Sequence, residues 1–301
     1  MEDPFGGRKF EMEYLLHIIV MVGIYTVLAV SLDLLVGQTG LLSIAHAAFF
    51  GLGAYTSALL AVHLGAPFPL SILAGMGIAV FVSFIVSLPS LRLHDDYFVI
   101  ATFGFQMILF SVFNNWMDLT SGPLGIRDIP KPSIFGWTIR SQLGFLALAL
   151  ILGVFAYAVV GLLTWSPFGR VLRAIREDEV LAKSLGKNTL RYKVTAFAVS
   201  ASMAGCAGSF YAHYINYIDP TSFTVVESIL VLSMVIIGGA GSRWGPLVGA
   251  AVLVTLPEAL RFVGLPNSSA ANLRQIIYGT LLLIMMMFRP RGILGKYSFG
   301  R

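Results

Sequence analysis

One cysteine and few charges define what this 301-residue sequence cannot be. Cys206 stands alone inside an apolar run, which excludes a secreted scaffold held by disulfides. Charged side chains make up 12% of the chain, against about 25% in ordinary soluble domains. No GxxxxGK[ST] stretch occurs, so the chain itself does not hydrolyse ATP on a P-loop. His17, His46, His63, His94 and His213 fall at no ligand spacing, and no cysteine or carboxylate cluster joins them. The chain is therefore not read as an enzyme, and neither a metal nor a cofactor is expected. Ionisable residues within the apolar runs are few: Asp33, Glu227 and Glu258, each near the end of its run. That shortage counts against a proton-coupled carrier, which needs acids deep in its spans.

What is present is hydrocarbon. Hydrophobic residues make up 57% of the sequence, with a mean hydropathy of +0.83. They fall in unbroken runs, each long enough as a helix to cross about 30 Å of lipid. The expected fold is all-α, a polytopic integral membrane protein with about eight to ten transmembrane or re-entrant helices in one domain, 1–301. Embedded segments are expected at 14–36, 41–63, 68–88, 98–117, 143–164, 192–217, 225–240, 245–262 and 272–288. The first is longer than a signal h-region and lacks a small-x-small cleavage pattern, so it is expected to stay in the membrane.

Two connections are long: 118–142, rich in Pro, Gly and Ser, and 165–191, rich in charge. Arg170, Arg173, Arg176, Lys183, Lys187, Arg191 and Lys193 place the second in the cytoplasm, and Arg289, Arg291, Lys296 and Arg301 place the tail there too. Four segments separate them, as an even count requires, and 118–142 then lies outside. These basic residues serve as topology signals, so the pI near 9.4 calls for membrane lipid and no nucleic-acid partner.

Two stretches are too glycine-rich for plain lipid-facing helices. From Gly37 to Gly53, four glycines occur in seventeen residues, and each costs a helix interior about 1 kcal/mol. Close helix packing and a broken helix beside a solute path both account for them. From Gly238 to Pro246 the helix must break, with Arg243 and Trp244 suited to an interfacial turn. Gly245 and Gly249 then offer a small-xxx-small face.

Within 165–191, helical character is expected from Arg170 to Leu185, stopped by Gly186. Val171, Leu172, Ile175, Val180, Leu181, Ala182 and Leu185 supply an apolar side; Arg173, Arg176, Glu177, Asp178 and Lys183 supply a charged one. Such a helix can lie on the membrane surface or be offered to a soluble partner.

The run Gly40-Leu41-Leu42-Ser43-Ile44-Ala45-His46-Ala47-Ala48-Phe49-Phe50-Gly51-Leu52-Gly53-Ala54-Tyr55 resembles the signature of branched-chain amino acid ABC-importer permeases of the LivM type. Thr120 to Ile126 with Ile129-Pro130 resembles the family's outer loop. Ser166 to Arg170, Arg173 to Glu177 and Leu185-Gly186 resemble its cytoplasmic coupling loop. Ile236 to Ser242, Trp244-Gly245-Pro246 and Phe288 to Gly295 resemble its C-terminal motifs, so the likeness covers nearly the whole chain.

The resemblance implies a multi-pass subunit of the bacterial inner membrane, passing branched-chain or other hydrophobic amino acids inward. It implies a homologous second permease, two ATP-binding cassette subunits and an extracytoplasmic solute-binding protein as partners. Arg173, Arg176, Glu177, Ala182 and Gly186 would form or shape the contact with an ATPase subunit. Ser43, His46, Tyr55 and Thr56 would lie on or near the pathway, with Gly51 and Gly53 permitting it. Asp33 stands where relatives would carry Asn, and His94-Asp95-Asp96 replaces an Arg-Gly-like turn; both departures bear on the substrate. The alternatives are a urea or short-amide permease, an ion-coupled carrier working without nucleotide, and a non-transporting scaffold.

Overall fold

The structure is a computed structural model describing residues 4–91, 95–134, 137–261, 276, 279–280, 283–284, 287 and 292–295. Its helices, in chain order, are α1 (Pro4–Thr39), α2 (His46–Leu64), α3 (Phe68–Ser90), α4 (Asp95–Asn115), α5 (Met117–Thr120), α6 (Gln142–Trp165), α7 (Pro167–Glu177), α8 (Glu179–Ser184), α9 (Thr189–Ile215), α10 (Val225–Gly238) and α11 (Gly245–Arg261). The fold is all-α and polytopic. Among the described residues, six helices are long and apolar enough to cross a membrane: Met12–Thr39 of α1, α2, α3, Tyr97–Asn115 of α4, α6 and α9. Two of the expected spans are shorter, α10 with 14 residues and α11 with 17. The described residues between 272 and 288 are helical; the rest of that segment, the His94-Asp95-Asp96 side chains and the Glu258 side chain lie outside the described residues.

Small residues decide which helices meet. Gly53 on α2 lies so close to α9 that a Cβ there would strike the Gly205 carbonyl, and Gly75 on α3 faces Ser209 of α9 in the same way. The Ser209 hydroxyl donates to the Gly53 carbonyl at 3.1 Å. With Ala196, Ala201, Ala204, Ala207 and Ala212 also buried, α9 forms the central post of the fold. In lipid, where apolar surface gives no drive for helix association, such close backbone approach supplies it. The expected Gly245 and Gly249 face is real: it packs on α10, where Cβ atoms would strike the Gly239 and Met234 carbonyls. Large side chains point the other way, with Leu73, Phe81, Ile85, Ile100, Ile108, Ile151 and Leu162 all exposed on α3, α4 and α6. Those are the faces for hydrocarbon.

The two long connections cap opposite ends. Residues 116–141 carry α5, a 3-10 turn and a two-stranded hairpin, β1 (Ser133–Ile134) with β2 (Trp137–Thr138). They are pinned to the end of α9 by the Ile126–Ile218 bridge and by His213, whose ring bonds the Pro130 carbonyl at 2.7 Å and Ser57 at 3.0 Å. At the other end Ile293 and Leu294 donate backbone N–H groups to Ile237 and Gly238 at 2.8 and 3.0 Å. The tail therefore meets the end of α10 on the same side of the protein as α7, as the distribution of Lys and Arg requires.

Candidate functional site

The glycine-rich run after α1 is a broken helix. α1 ends at Thr39, Gly40 takes a left-handed φ of 76°, and helix resumes only at His46 rather than at residue 41 as expected. His46 does not lie at a membrane surface. Its Nε2 is 2.7 Å from the Ser31 hydroxyl, and Ser31 stands eight residues, or about 12 Å, back up α1 from Thr39. The first amides of α2 thus open inside the protein, where an unpaired N–H costs several kcal/mol.

Side chains from two other helices, α4 and α10, satisfy them. Ala47 N–H donates to Ser228 Oγ at 2.9 Å, and Ala48 N–H donates to Gln106 Oε1 at 2.7 Å. Gln106 Nε2 donates in turn to the Phe223 carbonyl at 2.8 Å, and Ile44 N–H reaches Thr102 Oγ1 at 3.2 Å. Gln106, Ser228 and Thr102 were not among the expected site residues. Their signal was faint but present: Thr102 and Gln106 are polar side chains one helical turn apart in an apolar run, and Ser228 follows Glu227 at the start of another.

The expected pathway residues divide by helix face. Ser43 and His46 are buried at the break, with Ser43 Oγ accepting from Ala45 N–H at 3.3 Å. Gly51 and Tyr55 share the next stretch of α2. A Cβ on Gly51 would press on the rings of Phe113 and Phe223, and Tyr55 stacks on Phe113 with ring centroids 4.5 Å apart. The buried Tyr55 hydroxyl has no hydrogen-bond partner among the described residues. Gly53 turns away to α9, and Thr56 is half-buried.

At the charged end, 165–191 forms two helices where one was expected. The break is Asp178, whose extended backbone (φ −157°, ψ 103°) ends α7, while its carboxylate caps α8 by accepting from Leu181 N–H at 2.9 Å. The single apolar side expected here is split as well. Leu172, Ile175 and Ala182 are buried, while Val180, Leu181 and Leu185 are 73%, 57% and 71% exposed.

Each charged residue of the loop has a distinct place. Arg176 donates to the Gly37 carbonyl and to Glu177, the latter at 2.8 Å; Arg173 donates to the Thr164 carbonyl at 3.1 Å and lies 3.4 Å from Gln38 Oε1. Both arginines therefore turn inward to the end of α1, a cationic pair beside the carbonyls that a helix C-terminus leaves open. Glu177 is exposed, and Gly186, at φ 77°, has open space around it. Glu179, missed by sequence reading, ties α8 to α9: Lys193 bonds it at 2.6 Å, Thr189 at 2.8 Å and Lys183 at 3.1 Å. Burial works against its charge, but these bonds, led by Lys193, hold its carboxyl down at about 2. Asp33 completes this end by accepting from Gly241 N–H at 2.7 Å, joining α1 to the turn between α10 and α11.

The comparisons with known proteins agree with one another. Residues 14–286 match the family described as branched-chain amino acid transport system / permease component. The chain is 36% identical over 301 residues to the high-affinity branched-chain amino acid transport system permease protein LivM of Salmonella typhimurium, covering 92% of this chain and 69% of that one. It is 36% identical over 295 residues to LivM of Escherichia coli, covering 90% and 68%. The permease protein LivH of Salmonella typhimurium is 24% identical over 294 residues, covering 90% and 91%. No solved structure matches. The chain belongs to the family of branched-chain amino acid transport permeases, and it is a multi-pass membrane protein.

Proposed function

We propose that this family member is one of two homologous membrane subunits of a binding-protein-dependent importer of the bacterial inner membrane. In this reading it passes branched-chain or other hydrophobic amino acids inward, and separate subunits hydrolyse the ATP. Its similarity to both LivM and LivH supports a pairing of two related permeases, with a LivH-like chain as the partner. An extracytoplasmic binding protein delivers the solute to the end formed by 116–141.

The observation that carries the reading is the build of α8. Val180, Leu181 and Leu185 expose apolar surface on a short helix that is held rigidly from behind by Glu179, Lys193 and Thr189. An exposed apolar knob on a stiff mount suits docking into a groove on an ATPase subunit. Glu177 and Gly186 border that knob, and the buried Ala182 shapes it from beneath. Arg173 and Arg176 pass its movement to the end of α1 rather than meet the partner. The stroke then reaches the break at 40–45, because α1 leads directly into it. A rigid-body shift of that kind alters access to a path without remaking the core.

Along the path, Ser43, His46, Tyr55 and Thr56 are the side chains nearest the solute, with Gly51 and Gly53 permitting the close approach of α2 to its neighbours. The rings of Phe113, Phe223 and Tyr55 around Gly51 close it in this conformation.

The test is purification of the tagged chain from its native membrane in mild detergent, followed by reconstitution. ATP-dependent leucine uptake by a complex containing a P-loop ATPase and a second permease is the expected result. Uptake by the chain alone in ATP-free vesicles would replace this reading with an ion-coupled carrier. Uptake of urea or short amides in place of leucine would change the substrate and leave the mechanism.

A further inference from the structure

At the charged end a cavity of about 140 Å³ lies between α1, α6, α7 and the turn joining α10 to α11. Its lining combines opposite charges with an aromatic rim: Asp33, Arg173, Arg243, Tyr157 and Trp165 all contribute. Arg243 is exposed and makes no hydrogen bond or ion pair among the described residues. Its guanidinium instead sits 5.6 Å from the ring centroids of both Trp165 and Trp244, and Trp244 lies 5.7 Å from the Tyr157 ring. Trp165 and Trp244 are 76% and 54% exposed, at the level where indoles meet headgroups. A cation held between two rings, with its donors unused, is set to receive a phosphate.

The floor carries an anion, Asp33, with the Arg173 guanidinium lining the same space and Arg176 close to the joint of Asp33 with Gly241. One oxygen of Asp33 accepts from Gly241; the other makes no hydrogen bond among the described residues. Arg173 is taken up by Thr164 and Gln38. Tyr157 also lines the cavity, and its buried hydroxyl has no hydrogen-bond partner among the described residues. An occupant must therefore offer an anion to the rim and a compact N–H cation to the floor.

We propose that this cavity holds the phosphoethanolamine headgroup of a phospholipid in the cytoplasmic leaflet, its phosphate on Arg243 and its ammonium directed to Asp33. The placement rests on the cytoplasmic assignment of the charged end. The acyl chains then run along the exposed face of α6, past Leu162 and Val154. Such a lipid bridges α6 to the α10–α11 turn, beside the joint that Asp33 makes with Gly241.

The experiment is native mass spectrometry of the full chain with equimolar phosphatidylethanolamine, phosphatidylglycerol and phosphatidylcholine of identical acyl chains. Wild type is expected to retain phosphatidylethanolamine about tenfold over the others, the scale of one charge-assisted hydrogen bond. Arg243→Gln, an exposed change that removes the cation between the two rings, should remove that retention. Asp33→Asn keeps an acceptor for Gly241 and should erase the preference for phosphatidylethanolamine over phosphatidylglycerol. Tyr157→Phe should weaken retention with both charges intact. Equal retention of all three lipids, preference for phosphatidylglycerol, or displacement of the lipid by excess leucine would each overturn the proposal, the last by assigning the cavity to the transported solute.

Discussion

The Arg176 guanidinium donates to the backbone carbonyl of Gly37, joining α7 to the last turn of α1. This bond crosses from a loop to a transmembrane helix at the point where α1 breaks. If it transmits the ATPase stroke, Arg176→Ala in the assembled transporter should lower leucine transported per ATP about tenfold, the order set by one hydrogen bond to a charged group. Uptake and phosphate release, measured together in proteoliposomes, check this. Equal losses in both would mean the bond serves assembly alone.

Two glycines on α2 should separate fold from flux. Gly53→Ala drives a methyl into the Gly205 carbonyl, which is backbone and cannot step aside, so a loss of about 1–3 kcal/mol is expected, read as a lower unfolding temperature in detergent. Gly51→Ala presses on side-chain atoms of Phe113 and Phe223 rather than on backbone. It should reduce uptake with a smaller fall in unfolding temperature than Gly53→Ala. Gly77→Ala, a helical position with nothing within 4 Å, is the neutral control.

Gln106→Leu should rank among the most damaging changes in the membrane core. It leaves the Phe223 carbonyl without its partner, at about 1–3 kcal/mol for a buried group left unpaired, and leaves Ala48 N–H only the Ala45 carbonyl at 3.1 Å. Ser228→Ala removes the acceptor for Ala47 N–H and a donor to Gln106 Oε1, and should cost about 0.5–2 kcal/mol as a lost helix cap. Thermal unfolding of the two variants should keep that order.

Glu179 predicts a pH dependence in the mounting of α8 on α9. Its carboxyl is held below the ordinary 4.5, at about 2, so its support of α8 is fully present above pH 4.5 and is lost as pH falls towards 2. The protection of the α8 amides, referred to the intrinsic exchange rate at each pH, should fall through that window in the wild type. In Glu179→Gln exchange should be fast already at pH 7, and the pH step should vanish.

Much of this architecture could be read from the residues, because membrane spans and basic loops are written in local composition. Apolar runs placed the helices, and Arg289 and Arg291 assigned the tail to the same side as 165–191. Local composition could not place contacts between distant residues. Gln106 gave only one polar letter in an apolar run, and its partners lie 58 and 117 residues away. Asp178 looked like part of a charged helical face, although the same carboxylate can cap a new helix, and capping won. Arg173 and Arg176 looked like an outward charged face because their acceptors, on Gly37, Gln38 and Thr164, belong to helix ends whose proximity no sequence pattern signals.

The most direct test uses the chain's sole cysteine to advantage. Cys206 is buried at 4% exposure, so a thiol introduced by Leu181→Cys on the exposed face of α8 would be the reactive one. It can carry a short photoactivatable group in the assembled, transport-competent complex, with the conjugated chain identified by mass spectrometry. Conjugation to an ATP-binding subunit, with a yield that changes when nucleotide is added, is the predicted result. Conjugation to lipid alone in a complex that still transports would contradict the account and make α8 a helix lying on the membrane surface.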